Sequence, residues 1–286
     1  MGPSGSAHIV LVRVGSRGSR LALRQAELAA ARLRGPGIEI ALVPITTAGD
    51  RDRSRPFGEI GSRGVFVKEL EEALLEQRID VAVHSAKDMT ASDPEGLVVG
   101  AYLERDDPRD ALCGADGIRP GMRVGTASAR RKAQLLALEP TLSIEPLRGN
   151  IDTRLRKRGE RGMDAIVLAA CGLDRLGLDG EIGHRFAPDE LLPEAAQGAV
   201  ALQVRVGEQD LVGASDDPET RRRVEAERAV VAAVGGGCLA PVGAHHDGVT
   251  LVGLVAAEDG SWIERVSGDD PATLGEELAR RAAARA

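Results

Sequence analysis

At 286 residues the chain is long enough for two or three domains, each with its own core. It is 43% hydrophobic and 28% charged but only 2% aromatic, so any core has to be built from Leu, Val, Ile and Ala. A formal net charge of -7 argues against a protein that coats nucleic acid or an anionic membrane, and no run reaches the roughly 18 apolar residues of a membrane span.

Met1–Ala7 reads as a disordered lead, with no apolar signal core behind it. Val10–Val14 is predicted as a strand. Ser19 is placed to cap a helix in which Ala22, Ala26, Ala29 and Leu33 share a face, and Gly35-Pro36 stops it. Ile38–Thr46 follows as a second strand, completing a βαβ unit and implying a parallel sheet. Arg17 and Ser19 then sit at a strand end and helix start, where backbone N–H groups favour anions, although an ordinary solvated turn fits equally well. Residues 48–64 are rich in Gly, Arg and Asp without apolar periodicity and suggest a mobile lid. A helix with Val67, Leu70 and Leu74 on one face leads into a strand at Ile79–Val83, whose polar tail carries His84, Ser85, Lys87 and Asp88. Ligands of open α/β sheets sit beyond the carboxyl ends of strands, so Lys87-Asp88 marks a candidate site. An isolated Lys-Asp pair is more often a solvated ion pair, but the chain has four lysines against thirty-three arginines, and the other candidates also fall at element ends.

Leu97–Leu103 reads as one more strand before the charged, proline-containing Glu104–Asp110, where the chain is expected to cross into a second domain. A new βαβ series is expected from Met122–Gly125. Ser128 caps its helix, with Arg130 and Arg131 in the first turn, where the helix dipole disfavours cations by roughly 0.3–1 kcal/mol each. An anion between the two arginines would explain them; two solvent-facing side chains are the alternative. The strand Leu142–Leu147 runs into Arg148 and a helix carrying Arg154, and the strand Ala165–Ala169 is followed by Arg175. If these strands are parallel, the arginines converge on one face, and their planar forks suit a ligand with several carboxylates. Arg156–Arg161 lacks the aromatics of a single-strand nucleic-acid site.

Leu192–Gly198, which includes Gln197, reads as a return crossing, and Ala199–Val206 as a strand able to rejoin the first sheet. Asp217-Pro218 opens a helix through Val234. Strands at Thr250–Ala256 and Trp262–Val266 and a helix from about Thr273 complete a small third unit. Cys113, Cys171 and Cys238 are odd in number and widely spaced, which fits neither a disulfide framework nor a metal site and suits a reducing cytoplasm. Cys113 and Cys171 read as inert core residues. Cys238 lies in Gly235-Gly-Gly-Cys-Leu-Ala-Pro241, a flexible loop suited to a covalent attachment point rather than to a general nucleophile.

Seven ordered stretches resemble the porphobilinogen deaminase (hydroxymethylbilane synthase) family. They are Gly15-Ser-Arg-Gly-Ser-Arg-Leu-Ala-Leu, Gly64-Val-Phe-Val-Lys-Glu-Leu-Glu, Ala82-Val-His-Ser-Ala-Lys-Asp88, Val124-Gly-Thr-Ala-Ser-Ala-Arg-Arg131, Leu147-Arg-Gly-Asn-Ile-Asp-Thr-Arg154, Gln197-Gly-Ala-Val and Gly236-Gly-Cys-Leu-Ala-Pro241. The resemblance runs from about Val12 to the C-terminus. It implies an α/β protein with two type II periplasmic-binding-protein-like domains around a cleft (8–103 with 199–216, and 104–198) and a small α+β C-terminal domain (217–286). It further implies a transferase of tetrapyrrole and heme biosynthesis, which joins four porphobilinogen molecules head to tail, losing ammonia each time, into linear hydroxymethylbilane. The growing oligopyrrole is primed by a dipyrromethane cofactor held as a thioether on Cys238.

By the same resemblance Asp88 is the catalytic carboxylate, steadying positive charge on pyrrole nitrogens. Lys87, Ser128, Arg130, Arg131, Arg148 and Arg154 match cofactor-binding positions, and Arg17, Ser19, Arg148, Arg154, Arg175 and Gln197 match substrate-binding ones. Arg130 and Arg131 are expected to hold the permanent cofactor and Arg17 the incoming porphobilinogen. No metal, nucleic acid or membrane is expected, and the protein is expected to be a cytoplasmic monomer. Ala86, Thr90 and Arg63 depart from the family, which usually has a larger apolar residue, a proline and a lysine there. A polyanion-binding module with the same cleft and no chemistry is the rival, and an arginine-rich RNA binder a weaker one given the acidic balance.

Overall fold

The computed structural model describes residues 9–47, 67–90, 92–235 and 241–285. Met1–Ala7, the lid expected over 48–64 with Arg63, and Cys238 lie outside the described residues.

In chain order come β1 (Val10–Arg17), α1 (Arg20–Leu33), β2 (Ile38–Ile45), α2 (Lys68–Leu75), β3 (Val81–Ser85), a 3-10 turn (Ala86–Asp88) and β4 (Leu97–Tyr102). After a crossing segment come β5 (Asp110–Cys113), β6 (Arg123–Gly125), α3 (Ala129–Leu138), β7 (Ser143–Glu145), α4 (Ile151–Glu160), β8 (Ala165–Ala169), α5 (Ala170–Arg175) and β9 (Ile182–Arg185). The chain then returns through β10 (Val200–Arg205), the short α6 (Asp210–Gly213) and α7 (Pro218–Val234), and ends with β11 (Val242–His246), β12 (Leu251–Ala256), β13 (Ile263–Gly268) and α8 (Pro271–Ala283).

Two five-stranded sheets share one topology. The first has the order β2-β1-β3-β10-β4 and the second β7-β6-β8-β5-β9. In each, the first three strands of a βαβαβ run are parallel, and the fourth position is taken by an antiparallel strand that the chain reaches across a crossing segment: β10 in one, β5 in the other. This is the type II periplasmic-binding-protein arrangement. The third sheet, β11-β12-β13, is antiparallel and carries α7 and α8. Among the described residues no helix is long and apolar enough to cross a membrane.

Local chemistry accounts for most of the elements. The Ser19 hydroxyl accepts a hydrogen bond from the Ala22 amide at 3.2 Å, and Ala22, Ala26, Ala29, Ala30 and Leu33 turn one face of α1 to the sheet. Ser128, Asp217 and Asp270 cap α3, α7 and α8 in the same way. The cores are aliphatic, with Val12, Val14, Val81, Val83 and Leu202 in one and Leu112, Val124, Leu135 and Val167 in the other.

Some expectations are corrected. β3 lies two residues later than the sequence pattern suggests, so His84 is a buried sheet residue, not part of the polar tail. β7 is a three-residue edge strand rather than six. β5, β9 and β11 were not expected: each is four or five residues long, and charge, Gly or His masks its pattern.

Candidate active site

Several parallel strands of the first two sheets lead, at or beyond their carboxyl ends, to polar residues. In the first sheet β1 ends at Arg17 and β3 at Ser85, directly before the turn that carries Lys87 and Asp88. Gln25 of α1 donates to the Ser85 hydroxyl at 2.9 Å and so steadies the start of that turn. Lys87 Nζ donates to Gln197 Oε1 at 2.9 Å and lies 4.0 Å from a Glu194 carboxylate oxygen. Ser19 serves as the cap of α1.

In the second sheet β6 leads to Arg130 and Arg131, β7 to Arg148 and Arg154, and β8 to Arg175. The anion expected between Arg130 and Arg131 is there, and it is the protein's own. Asp110, fully buried at the start of β5, accepts from Arg130 Nη2 at 2.8 Å and from Arg131 Nη2 at 2.7 Å. Gln197 Nε2 donates to the same carboxylate at 2.8 Å. A continuous polar chain therefore runs Lys87–Gln197–Asp110–Arg130/Arg131 from the Asp88 turn to the arginine face. Burial works to raise the Asp110 pKa, but the two guanidiniums outweigh it and hold the carboxyl well below its usual range.

Ser128 accepts from the Arg131 amide at 3.3 Å as the cap of α3. Arg154 donates through Nε to the Gly149 carbonyl at 2.6 Å. Its guanidinium pKa is pushed down to about 10, first by desolvation and then by Arg131 and Arg148, with Asp88 the nearby charge that works the other way. Asp88 of one sheet is thus within electrostatic reach of the arginine face of the other. Arg175 is committed elsewhere. It donates to Asp106 at 2.7 Å and to the Gly198 carbonyl at 2.6 Å, clamping the two crossing segments together. Those segments run close: Gly198 has φ +94, and a Cβ there would lie 2.4 Å from the Asp106 carbonyl oxygen.

Residues 12–213 match the family model described as porphobilinogen deaminase, dipyromethane cofactor binding domain, and residues 221–285 match porphobilinogen deaminase, C-terminal domain. The chain belongs to the porphobilinogen deaminase family. Among similar curated proteins, the porphobilinogen deaminase of Bacillus velezensis is 44% identical over 94% of this chain and 91% of its own. That of Roseiflexus sp. strain RS-1 is 45% identical over 93% of each. A solved nutrient-binding protein from Burkholderia cenocepacia bound to methionine covers 74% of this chain and 94% of its own at 13% identity, with a TM-score of 0.43.

The family's dipyrromethane carries carboxylates on both pyrroles, and the donor set suits it. Two arginines share one carboxylate at Asp110, Arg154 is held among further cations, and the Nε atoms of Arg130 and Arg131 are buried without a partner. A buried excess of guanidinium charge is costly until anions meet it. Among the described residues no cluster of three or more His, Cys, Asp or Glu could hold a metal ion.

Three residues of this neighbourhood were not found from the sequence. Asp110 sits at the end of a run of charged residues, and only its place at the start of the unexpected β5 marks it as buried. Arg105 and Glu227 form a second buried ion pair at the crossing, with both donor–acceptor contacts between 2.7 and 2.9 Å. Glu227 lies among other charged residues on α7, and nothing in the sequence sets it apart.

Proposed function

We propose that this chain joins four porphobilinogen molecules into linear hydroxymethylbilane on a dipyrromethane primer, with Asp88 as the catalytic carboxylate and Cys238 as the thioether anchor. When bound, the dipyrromethane supplies the free pyrrole α-carbon to which the first porphobilinogen is joined. The observation that carries the reading is the polar chain from Lys87 through Gln197 to Asp110, which couples the Asp88 turn to a surplus of arginine charge.

Each substrate brings one acetate and one propionate, and Lys87, Arg131, Arg148 and Arg154 are the groups that receive them. Arg17, at the carboxyl end of β1 in the first sheet, takes the incoming molecule. Arg130 acts mainly through Asp110 and the Leu192 carbonyl, to which it donates. Arg175 and Gln197 hold the crossing, and Ser19 and Ser128 hold helix starts, so these four shape the site more than they bind. Asp88, partly buried, stabilises the positive charge that develops on pyrrole nitrogen as ammonia leaves. We read the three sheets as three domains, 8–103 with 199–216, 104–198 and 217–286, in a cytoplasmic monomer that takes neither nucleic acid nor membrane; the net charge of -7 supports that reading.

Two variants test the assignment. Asp88→Asn should fold and carry the adduct yet turn over about a hundred- to a thousandfold more slowly, because a preorganised charge acts mainly in the transition state. Cys238→Ala should lack, by intact mass, the adduct of two porphobilinogen-derived rings that Cys113→Ala and Cys171→Ala retain. Near-normal turnover in Asp88→Asn would place the catalytic group elsewhere.

A further inference from the structure

The turn that carries Lys87 and Asp88 is weakly held by its own backbone. It is a single 3-10 turn, closed by a long Met89 N–H to Ala86 carbonyl bond of 3.3 Å. Its first residue is tied to the return strand by the Ala86 amide, which donates to the Ala199 carbonyl at 3.1 Å. Its far end is gripped from another unit. Arg228 of α7 donates through Nη1 to the Ala86 carbonyl at 3.3 Å and through Nη2 to the Thr90 carbonyl at 2.5 Å. One planar guanidinium thus spans both ends of the turn, with Lys87, Asp88 and Met89 between them. The preceding residue, Glu227, locks α7 to Arg105, so the helix that presents Arg228 is itself fixed.

We propose that Arg228 is a positioning residue for Asp88. It sets the distance between the catalytic turn and the helix that leads, through Gly235, to Cys238. This rests on the reading of Asp88 as the catalytic carboxylate. Asp88 is within the pull of Arg154 on α4, beside the second sheet. A turn released from Arg228 keeps its ties at Ala86 and Lys87 but loses the hold on its exit at Thr90, so Asp88 can shift toward that cation, and a carboxylate committed to Arg154 is lost to the pyrrole nitrogen. Lysine cannot replace the fork, because an ammonium that reaches one carbonyl does not hold the other in fixed geometry.

The geometry also offers a rescue. Met89 has φ -75 and ψ 150, the conformation required of a residue before proline. Thr90→Pro keeps the carbonyl that Arg228 uses and stiffens the exit of the turn.

The test uses full-length enzyme purified with its adduct and measures intact mass, melting temperature, kcat and KM for porphobilinogen. Arg228→Met should carry the adduct and keep KM within about threefold while kcat falls about ten- to a hundredfold, the loss expected of a displaced group. Arg228→Lys should fall between it and wild type, and Arg228→Met with Thr90→Pro should recover part of kcat. The inference is overturned if kcat of Arg228→Met stays within about threefold of wild type while Asp88→Asn is nearly inactive, or if the loss tracks melting temperature and neither lysine nor proline restores any rate. A fully active Asp88→Asn would instead remove the catalytic reading and this inference with it.

Discussion

Two buried carboxylates sit near the crossing between the first two sheets, and they are built differently. Glu227 faces one arginine in a two-bond fork with Arg105, accepts the amides of Ala196 and His246 at 2.7 and 2.8 Å, and has His245 Nδ1 3.4 Å away. Asp110 faces two arginines and a carboxamide, and each of those arginines keeps a buried, unpartnered Nε. Both carboxyls are fully buried, and in both the neighbouring cations outweigh a desolvation that acts the other way, so both stay ionised. The Glu227 cluster pairs its one carboxylate with one arginine, and its leftover buried nitrogen, His245 Nδ1, belongs to a side chain that can be neutral rather than to a fixed cation. The Asp110 cluster is left with more cation than anion, on the side where Arg148 and Arg154 add more. Balanced burial holds a fold together; unbalanced burial describes a site waiting for an anionic ligand.

The largest effect follows from breaking the closed cluster. Glu227→Ala strands Arg105 without a counter-charge and unseats Ala196, which sits at an unfavourable φ of 63 for a residue with a side chain. Removing one partner of a buried pair costs about 3–5 kcal/mol. Urea unfolding should show a loss of that size, with the adduct still present in the folded fraction. A loss under about 1 kcal/mol would mean that the crossing is held by something else.

That contrast was only half legible in the sequence. The arginines at the ends of β6, β7 and β8 could be read because strand ends in a parallel sheet are predictable from apolar runs and helix caps. Their partner could not. Asp110 stands fourth among the acidic residues of Glu104–Asp110, and whether it is buried depends on a four-residue strand whose hydrogen bonds all come from β8 and β9, far along the chain. The two misplaced cations of α3 correctly announced an anion, but periodicity cannot say whether an anion is a ligand or a distant aspartate. The His84 position failed for a related reason: a polar residue at a strand end looks exposed until the strand beside it, β10, is known.

His84 extends the comparison to a buried polar group with no counter-ion of its own. Its Nε2 lies 3.1 Å from Gln203 Oε1, and the Gln203 amide in turn reaches Glu71 at 3.4 Å and Asp93 at 3.5 Å. Desolvation, only partly offset by the Gln203 bond, lowers its pKa from 6.5 to about 4. The unfolded chain takes up a proton as pH falls through 6.5, and the folded one does not until about 4. The stability is therefore whole above pH 6.5 and drains away between 6.5 and 4, by about 3 kcal/mol across the window. The carboxyls of Asp110 and Glu227, held low in the folded protein, add a slope of the same sign, but only as pH falls toward their ordinary unfolded values at the bottom of that window, so the upper part belongs to His84. Unfolding free energies from urea titrations between about pH 7 and 4.5 should fall with a slope up to about one proton shallower in His84→Gln than in wild type. Parallel curves would place the acid sensitivity elsewhere.

The smallest effect on stability should come from the open cluster, and it is the more informative for that. Arg131→Leu removes one of two arginines from Asp110, which keeps Arg130 and Gln197, each at 2.8 Å. The carboxylate stays paired, and a leucine fills much of the vacated volume. The cost should be about 1–2 kcal/mol, well short of that for Glu227→Ala. Yet this is the variant that should lose the cofactor. Arg131 contributes both the guanidinium that crowds Arg154 and a donor with no internal partner, and a polycarboxylate primer is the anion that would meet them. Intact mass should find the Arg131→Leu protein without its two-ring adduct while urea finds it still folded, the reverse of Glu227→Ala. If Arg131→Leu carries the adduct in full, or unfolds as readily as the Glu227 variant, then the surplus charge at Asp110 is a structural accident, and the open and closed clusters differ in bookkeeping alone.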